Sequence, residues 1–190
     1  MLRAGVAGLA SAALGAGLLG APDVAQAFTI ELLRLDVQRS DQGVLLDAEV
    51  RFELPAGVED ALQKGVALYF VAEVDVYRSR WYWRDARVSR TVRTWSLSYQ
   101  PLTFTYRLSF GGLSQSYRTL GEALRVIQRA PRWRIADPLP SDDDSRYYAE
   151  YLFKLDTAQL PRPLLIGVSG QDEWNLQVER TVPLQLPGTR

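Results

Sequence analysis

The chain has 190 residues and contains neither histidine nor cysteine. Without them the protein has no thiolate nucleophile, no histidine-assisted serine triad and no imidazole that changes charge near neutral pH. Zinc sites built from cysteine and histidine are excluded, and no disulfide can support the fold. Any catalysis is therefore left to carboxylates, lysine, tyrosine, serine or threonine.

The first 27 residues have the three parts of a cleavable export signal. Arg3 gives a positive start, residues 4–21 are uncharged, and residues 25–27 form the small-x-small pattern that signal peptidase cleaves. We expect cleavage after Ala27 and a periplasmic location for a single β-rich domain over residues 28–190. An uncleaved membrane anchor is the alternative, because the apolar stretch is of nearly spanning length. No later stretch reaches that length, so no transmembrane segment is expected after cleavage.

Alternating apolar and polar residues predict that most of the remaining chain is β-strand. One such strand has its apolar positions at Leu46, Ala48, Val50, Phe52 and Leu54. The same period of two covers residues 66–76, 102–110, 147–155 and 174–182. In the second of these ranges, Leu102 and Phe104 are expected on one apolar face together with Leu108.

Two short segments have helical patterns instead. Thr119 and Glu122 have capping-box spacing, which predicts a helix over residues 120–130 that Pro131 stops. A second short helix is predicted over residues 57–65, ending at Gly65. Strands at short intervals with two small helices indicate an antiparallel β-sandwich or a curled sheet.

The charges are segregated along the chain although the formal net charge is zero. Residues 78–134 contain 12 arginines, against Asp85 and Glu122 as the acidic residues, and acidic residues dominate on both sides of this block. The block can bind an anionic partner. Alternatively, acidic and basic strands lie side by side and pair across the sheet, as the topology of a sandwich favours.

The sequence RSRWYWRD, residues 78–85, places three aromatic residues among arginines. If the strand continues through it, Trp81 and Trp83 point to one side, and Tyr82 points to the other with the arginines. Because burial of tryptophan is strongly favourable, we expect at least one of the two tryptophans in the core. The opposite side is then a basic surface.

Several segments together resemble a known family of exported proteobacterial proteins. They are ALQKGVALYF, RWYWRD, LSYQPLTFTYRLS, TLGEALRVI and LDTAQLPRPL followed by an isolated tryptophan. In order and spacing they resemble the domain of unknown function 4390 family, over nearly all of the chain after the signal. The resemblance implies an exported single domain and supplies neither an activity nor a cofactor nor catalytic residues.

Paired carboxylates are the one catalytic device left for a glycan-acting hydrolase. The candidates are Asp85, Glu122, Glu150, Asp156, Asp172 and Glu173, with Trp174 beside the last pair to stack on a sugar. Asp142, Asp143 and Asp144 suit calcium but lack the spacing of an EF-hand loop, so no metal site is predicted. Ser169 lies in GVSG, which is not the G-x-S-x-G motif.

The leading hypothesis is a non-enzymatic domain without a cofactor that binds an envelope protein or an anionic lipid or glycan. Its binding residues are predicted to be Arg78, Arg80, Tyr82, Arg84, Arg87 and Arg90. The alternatives are the hydrolase and a structural subunit of an envelope complex. Nucleic acid is not expected as a partner, because the export signal argues against it.

Overall fold

A computed structural model describes residues 30–140, 146–160 and 174–184. In these ranges the chain forms nine strands and two α-helices. They are β1 (Glu31–Ser40), β2 (Gly43–Arg51), α1 (Ala56–Gln63), β3 (Leu68–Arg78), β4 (Ala86–Gln100), β5 (Thr105–Phe110), β6 (Leu113–Tyr117), α2 (Leu120–Ile127), β7 (Arg129–Ala136), β8 (Tyr147–Leu155) and β9 (Gln177–Pro183).

The strands form two antiparallel sheets that do not close into a barrel. The smaller sheet has the order β1-β2-β7, and the larger one has the order β6-β5-β4-β3-β8-β9. Every neighbouring pair of strands is antiparallel. The predicted fold, mainly β with two short helices, is confirmed. No helix in the described ranges has the length and apolar character needed to cross a bilayer.

One core lies between the two sheets, and Phe52 connects them. The ring of Phe52 lies 5.4 Å from that of Phe70 on β3 and 5.5 Å from that of Phe153 on β8, centroid to centroid. The apolar positions predicted from alternation are buried on three strands. They are Leu46, Ala48 and Val50 on β2, Leu68, Ala72, Val74 and Val76 on β3, and Tyr147, Ala149, Tyr151 and Leu155 on β8.

The N-terminus of α2 has the predicted capping box, in which the Thr119 side chain accepts from the Glu122 amide and the Glu122 carboxylate accepts from the Thr119 amide. The predicted end of this helix at residue 130 is wrong, because α2 ends at Ile127 and β7 begins at Arg129. Helix α1 ends close to the prediction, before Gly65, whose φ of 92° suits a glycine.

Pro131 lies inside β7 instead of stopping a helix. The register between β2 and β7 shifts between Leu46 and Ala48, which places Pro131 at a β-bulge. A proline can be accommodated there without loss of a ladder hydrogen bond. The next residue, Arg132, has a φ of 44°, and its amide donates to the Asp47 carboxylate at 3.1 Å.

The prediction that Leu102 and Phe104 share the apolar face of Leu108 is wrong. Strand β5 begins only at Thr105, which pairs with Gln100, and the residues between them form a turn. Leu102 is 96% exposed and Phe104 is 74% exposed. Phe104 has a φ of 52°, which disrupts the alternation of side chains that a strand requires.

The turn between β1 and β2 packs against the end of β7. Gly43 has a φ of 127°, and a Cβ atom there would lie 2.5 Å from the carbonyl oxygen of Ala136. The position therefore requires glycine, because its backbone conformation is unfavourable for other residues and because the Ala136 carbonyl leaves no space for a Cβ atom. The hydroxyl of Ser89 on β4 donates to the carbonyl of Ile135 at 2.7 Å, so the start of β4 lies at this end of the molecule too.

Candidate functional site

Residues 79–85 connect β3 to β4 and form a loop with three adjacent exposed aromatic side chains, here called the aromatic loop. Trp81 is 93% exposed, Tyr82 70% and Trp83 72%. The rings of Trp81 and Tyr82 meet edge to face with centroids 5.0 Å apart. These rings form an apolar patch in water at one end of the larger sheet.

The prediction that Trp81 or Trp83 belongs to the core is therefore wrong. Arg78 is the last residue of β3 and pairs with Ala86 on one side and Tyr147 on the other. Beyond Arg78 the chain leaves the sheet, so alternation no longer assigns one side chain in two to the core.

Asp85 holds the aromatic loop together at its base. Its carboxylate accepts from the backbone amide of Arg80 at 3.0 Å and from the hydroxyl of Tyr148 on β8 at 2.7 Å. A second link to the start of β8 is the hydrogen bond from the Ser79 amide to the Arg146 carbonyl, at 2.8 Å. The loop is thus fixed across its own ends and to the neighbouring strand.

These hydrogen bonds also shift two pKa values. The Tyr148 hydroxyl and the Arg80 amide lower the pKa of Asp85, so its carboxylate is ionised at neutral pH. Burial, followed by the hydrogen bond to Asp85, raises the pKa of Tyr148 to about 12. The Tyr148 ring stacks on Tyr77 of β3, with centroids 5.3 Å apart, which gives the loop a packed base.

The six predicted binding residues divide into two groups. Arg80, Tyr82 and Arg84 lie in the aromatic loop, and neither arginine forms an ion pair with another described residue. Arg78 ends β3 and is exposed. Arg87 and Arg90 lie on β4 and pair with acidic residues of β3, Arg87 with Asp75 at 3.7 Å and Arg90 closely with Glu73.

Pairing across strands thus accounts for part of the cationic block. Besides the two β4 arginines, Arg129 of β7 contacts Glu49 of β2 at 3.0 Å. Arg93 is held differently, with its guanidinium 4.7 Å from the centroid of the Trp133 ring. Burial lowers the pKa of Arg93. Arg80 and Arg84 of the aromatic loop differ from these four arginines, because they are exposed and have neither an ion pair nor a ring contact with a described residue.

Besides Asp85, two more of the candidate catalytic carboxylates have structural contacts. Glu122 accepts from the amides of Arg118 and Thr119 at the start of α2. Asp156 accepts from the Ala158 amide at 3.1 Å and from the side chain of Gln159 at 2.9 Å, closing a short 3₁₀ turn. Each carboxylate thereby stabilises a local backbone feature.

Glu150 lies on β8 in register with Asp75 of β3, on the sheet face opposite the core. Burial is the main cause of the raised pKa of Glu150, and the carboxylates of Glu179, Asp75 and Asp85 add to it. Sequence reasoning missed Asp75, although the polar positions of the β3 pattern contain it. The register of β3 against β8 thus brings the carboxylates of Asp75 and Glu150 onto neighbouring positions of one sheet face.

Other candidates fall outside the described ranges: Asp142, Asp143, Asp144, Ser169, Asp172 and Glu173. Trp174, considered as a sugar-stacking residue, is half-buried against the core. Among the described residues, no group of three or more acidic side chains is arranged to hold a metal ion.

A family model described as "Domain of unknown function (DUF4390)" matches residues 27–183. The chain belongs to this family. The match extends over all nine strands and both helices, and it includes the aromatic loop. No curated protein and no solved structure shows a significant match to the chain.

Proposed function

We propose that the protein is an exported, non-enzymatic binding domain that contacts an anionic component of the cell envelope through the aromatic loop. The observation that carries the proposal is the exposure of Trp81, Tyr82 and Trp83 on a loop fixed by Asp85. Contiguous exposed apolar groups mark interaction sites, and tryptophan, tyrosine and arginine are the residues that contribute most at such sites.

The anchoring of the loop supports binding in a second way. A loop that is already ordered loses little conformational entropy when it contacts a partner. The contacts of Asp85 with Arg80 and Tyr148 supply that order before binding. Arg80 and Arg84 provide positive charge next to the rings, which supports an anionic partner.

Export is proposed from the signal pattern of residues 1–27. Mass spectrometry of the periplasmic fraction should detect a mature chain that begins at Phe28. Recovery of the chain from the cytoplasm with Met1 to Ala27 still attached would contradict this part of the proposal.

Affinity capture of envelope fragments, prepared without detergent so that lipid surfaces stay intact, tests the binding function. The wild-type protein and a Trp81→Ala/Trp83→Ala variant are compared at low and high salt, with Leu102→Ala as the control for loss of an exposed apolar side chain. We expect the loop variant to lose the captured component and the control to retain it. Capture should weaken with salt, because exposed charges are screened within about 8 Å at physiological ionic strength. Equal capture by all three proteins would contradict a role for the loop.

A glycan-acting hydrolase is the second candidate, and the register pairing of Asp75 with Glu150 is the observation that favours it. The raised pKa of Glu150 suits a general acid. Hydrolysis of purified cell-wall glycans that Glu150→Gln abolishes would establish this activity in place of the binding function.

A further inference from the structure

We propose that the partner of the aromatic loop is the surface of an anionic phospholipid bilayer. In this arrangement Trp81 and Trp83 enter the headgroup region, and Arg80 and Arg84 contact lipid phosphates. The inference rests on the proposed function, since it uses the same loop, and it adds the chemical class of the partner.

The shape of the loop favours a bilayer over a small ligand. The described chain covers little of any of the three rings, so they project from the end of the sheet. Sites for small molecules are concave and surround most of their ligand. A bilayer interface needs no pocket, because the projecting side chains enter the lipid phase themselves.

The chemistry of the loop matches the headgroup region. Indole and phenol rings have an apolar body and one polar group, and they concentrate at the boundary between lipid and water. Arg80 and Arg84 directly flank the three aromatic residues in the sequence. A guanidinium group can bind a phosphate through two parallel hydrogen bonds. The loop thus combines an apolar centre with a cation on each side.

Among the described residues, no acidic side chain forms an ion pair with Arg80 or Arg84. Asp85, the acidic residue of the loop, lies at its base and already accepts two hydrogen bonds. Arg87 and Arg90 are held by Asp75 and Glu73 on the face of the sheet.

The exposed turn that contains Leu102 and Phe104 provides a matched control. It follows the opposite end of β4, a strand of 15 residues. At about 3.3 Å per residue, the two apolar tips lie roughly 45 Å apart along the strand. A bilayer that meets the aromatic loop at the end of the sheet is therefore not expected to reach this turn.

The test uses the purified protein with vesicles of phosphatidylglycerol and phosphatidylcholine, compared with vesicles of phosphatidylcholine alone, in a sedimentation assay. We expect binding to the anionic vesicles and a shift of tryptophan emission to shorter wavelength. Trp81→Ser/Trp83→Ser should weaken binding more than about tenfold, because each indole removes a large apolar area from water. The control Leu102→Ser/Phe104→Ser should bind within about twofold of wild type.

The arginines are tested separately. Each arginine near an anionic surface strengthens binding about fivefold, so Arg80→Gln/Arg84→Gln should weaken binding about 25-fold. Arg107→Gln/Arg125→Gln, the same change at exposed positions outside the loop, should have little effect. Quenching of wild-type tryptophan emission by brominated lipid gives a further readout that depends on no variant. Absence of quenching in bound protein would overturn insertion of the rings.

The outcomes separate the two proposals. If wild-type protein does not bind anionic vesicles while the loop variants lose capture of an envelope protein or glycan, the bilayer proposal fails and the binding function stands. If the loop variants change neither vesicle binding nor capture, both proposals fail. If the control variant loses vesicle binding as strongly as the Trp81→Ser/Trp83→Ser variant, the bilayer proposal fails because binding is not specific to the loop.

Discussion

Phe52→Ala tests whether the two sheets share one core. Phe52 is 3% exposed, and its ring contacts those of Phe70 and Phe153 on the larger sheet. Replacing a buried phenylalanine by alanine costs about 3–5 kcal/mol, from lost burial and from the cavity that remains. Domains of this kind have a total stability of about 5–15 kcal/mol, so the loss should be a large fraction of it.

The assay is equilibrium urea denaturation followed by circular dichroism, with Phe104→Ala as the matched control. The control removes the same atoms from a ring that is 74% exposed, so its free energy of unfolding should change by less than about 0.5 kcal/mol. If Phe52→Ala does not fold, Phe52→Leu keeps most of the volume and should cost about 1 kcal/mol. Equal costs for Phe52→Ala and Phe104→Ala would refute the shared core.

Three further substitutions test local features of the fold by denaturation. Phe104→Gly should raise the free energy of unfolding by about 1 kcal/mol, because its φ of 52° is costly for a residue with a Cβ atom; no gain would show that this strain is absent. Gly43→Ala should lower it by about 2 kcal/mol or more, owing to its φ of 127° and the contact with the Ala136 carbonyl, and an unchanged urea midpoint would contradict that contact. Burial and neighbouring carboxylates raise the pKa of Glu150 in the folded state. The folded protein therefore loses stability as the pH rises from the ordinary glutamate pKa through the raised pKa of Glu150. Glu150→Gln should therefore be more stable than wild type at neutral pH and equal to it below about pH 4, and a wild-type advantage at neutral pH would contradict the shift.

Alternation predicted the strands that are buried on one side and solvent-facing on the other. On β2, β3 and β8 the alternate apolar residues are in the core because each strand has a partner on both sides along most of its length. The pattern failed where a strand ends, since the sequence does not show how far its partners extend. Leu102 lies before the first paired residue of β5, Trp81 lies after the last paired residue of β3, and both are exposed.

The sequence named residues of the candidate site but not their arrangement in space. The sequence identified Arg80, Tyr82 and Arg84, and the structure places them on one loop. Arg87 forms an ion pair with Asp75, and this pairing depends on the register of β3 against β4. That register is set by the loop that connects the two strands. The role of Asp85 depends on Tyr148, which is distant in sequence and becomes a neighbour only when β8 pairs with β3.

The loop tryptophans differ in exposure from two other tryptophans of the described chain. Trp95 and Trp133 are 3% and 5% exposed, so the fold accommodates indoles within its core. Leaving an aromatic ring in water forgoes a stabilisation of about 2–3 kcal/mol relative to burial. The contacts of Asp85 fix the chain in the conformation that keeps Trp81 and Trp83 outside. The loop is thus ordered by specific hydrogen bonds, yet its exposed rings contribute little to the stability of the free domain. This favours a partner that covers the rings and removes them from water.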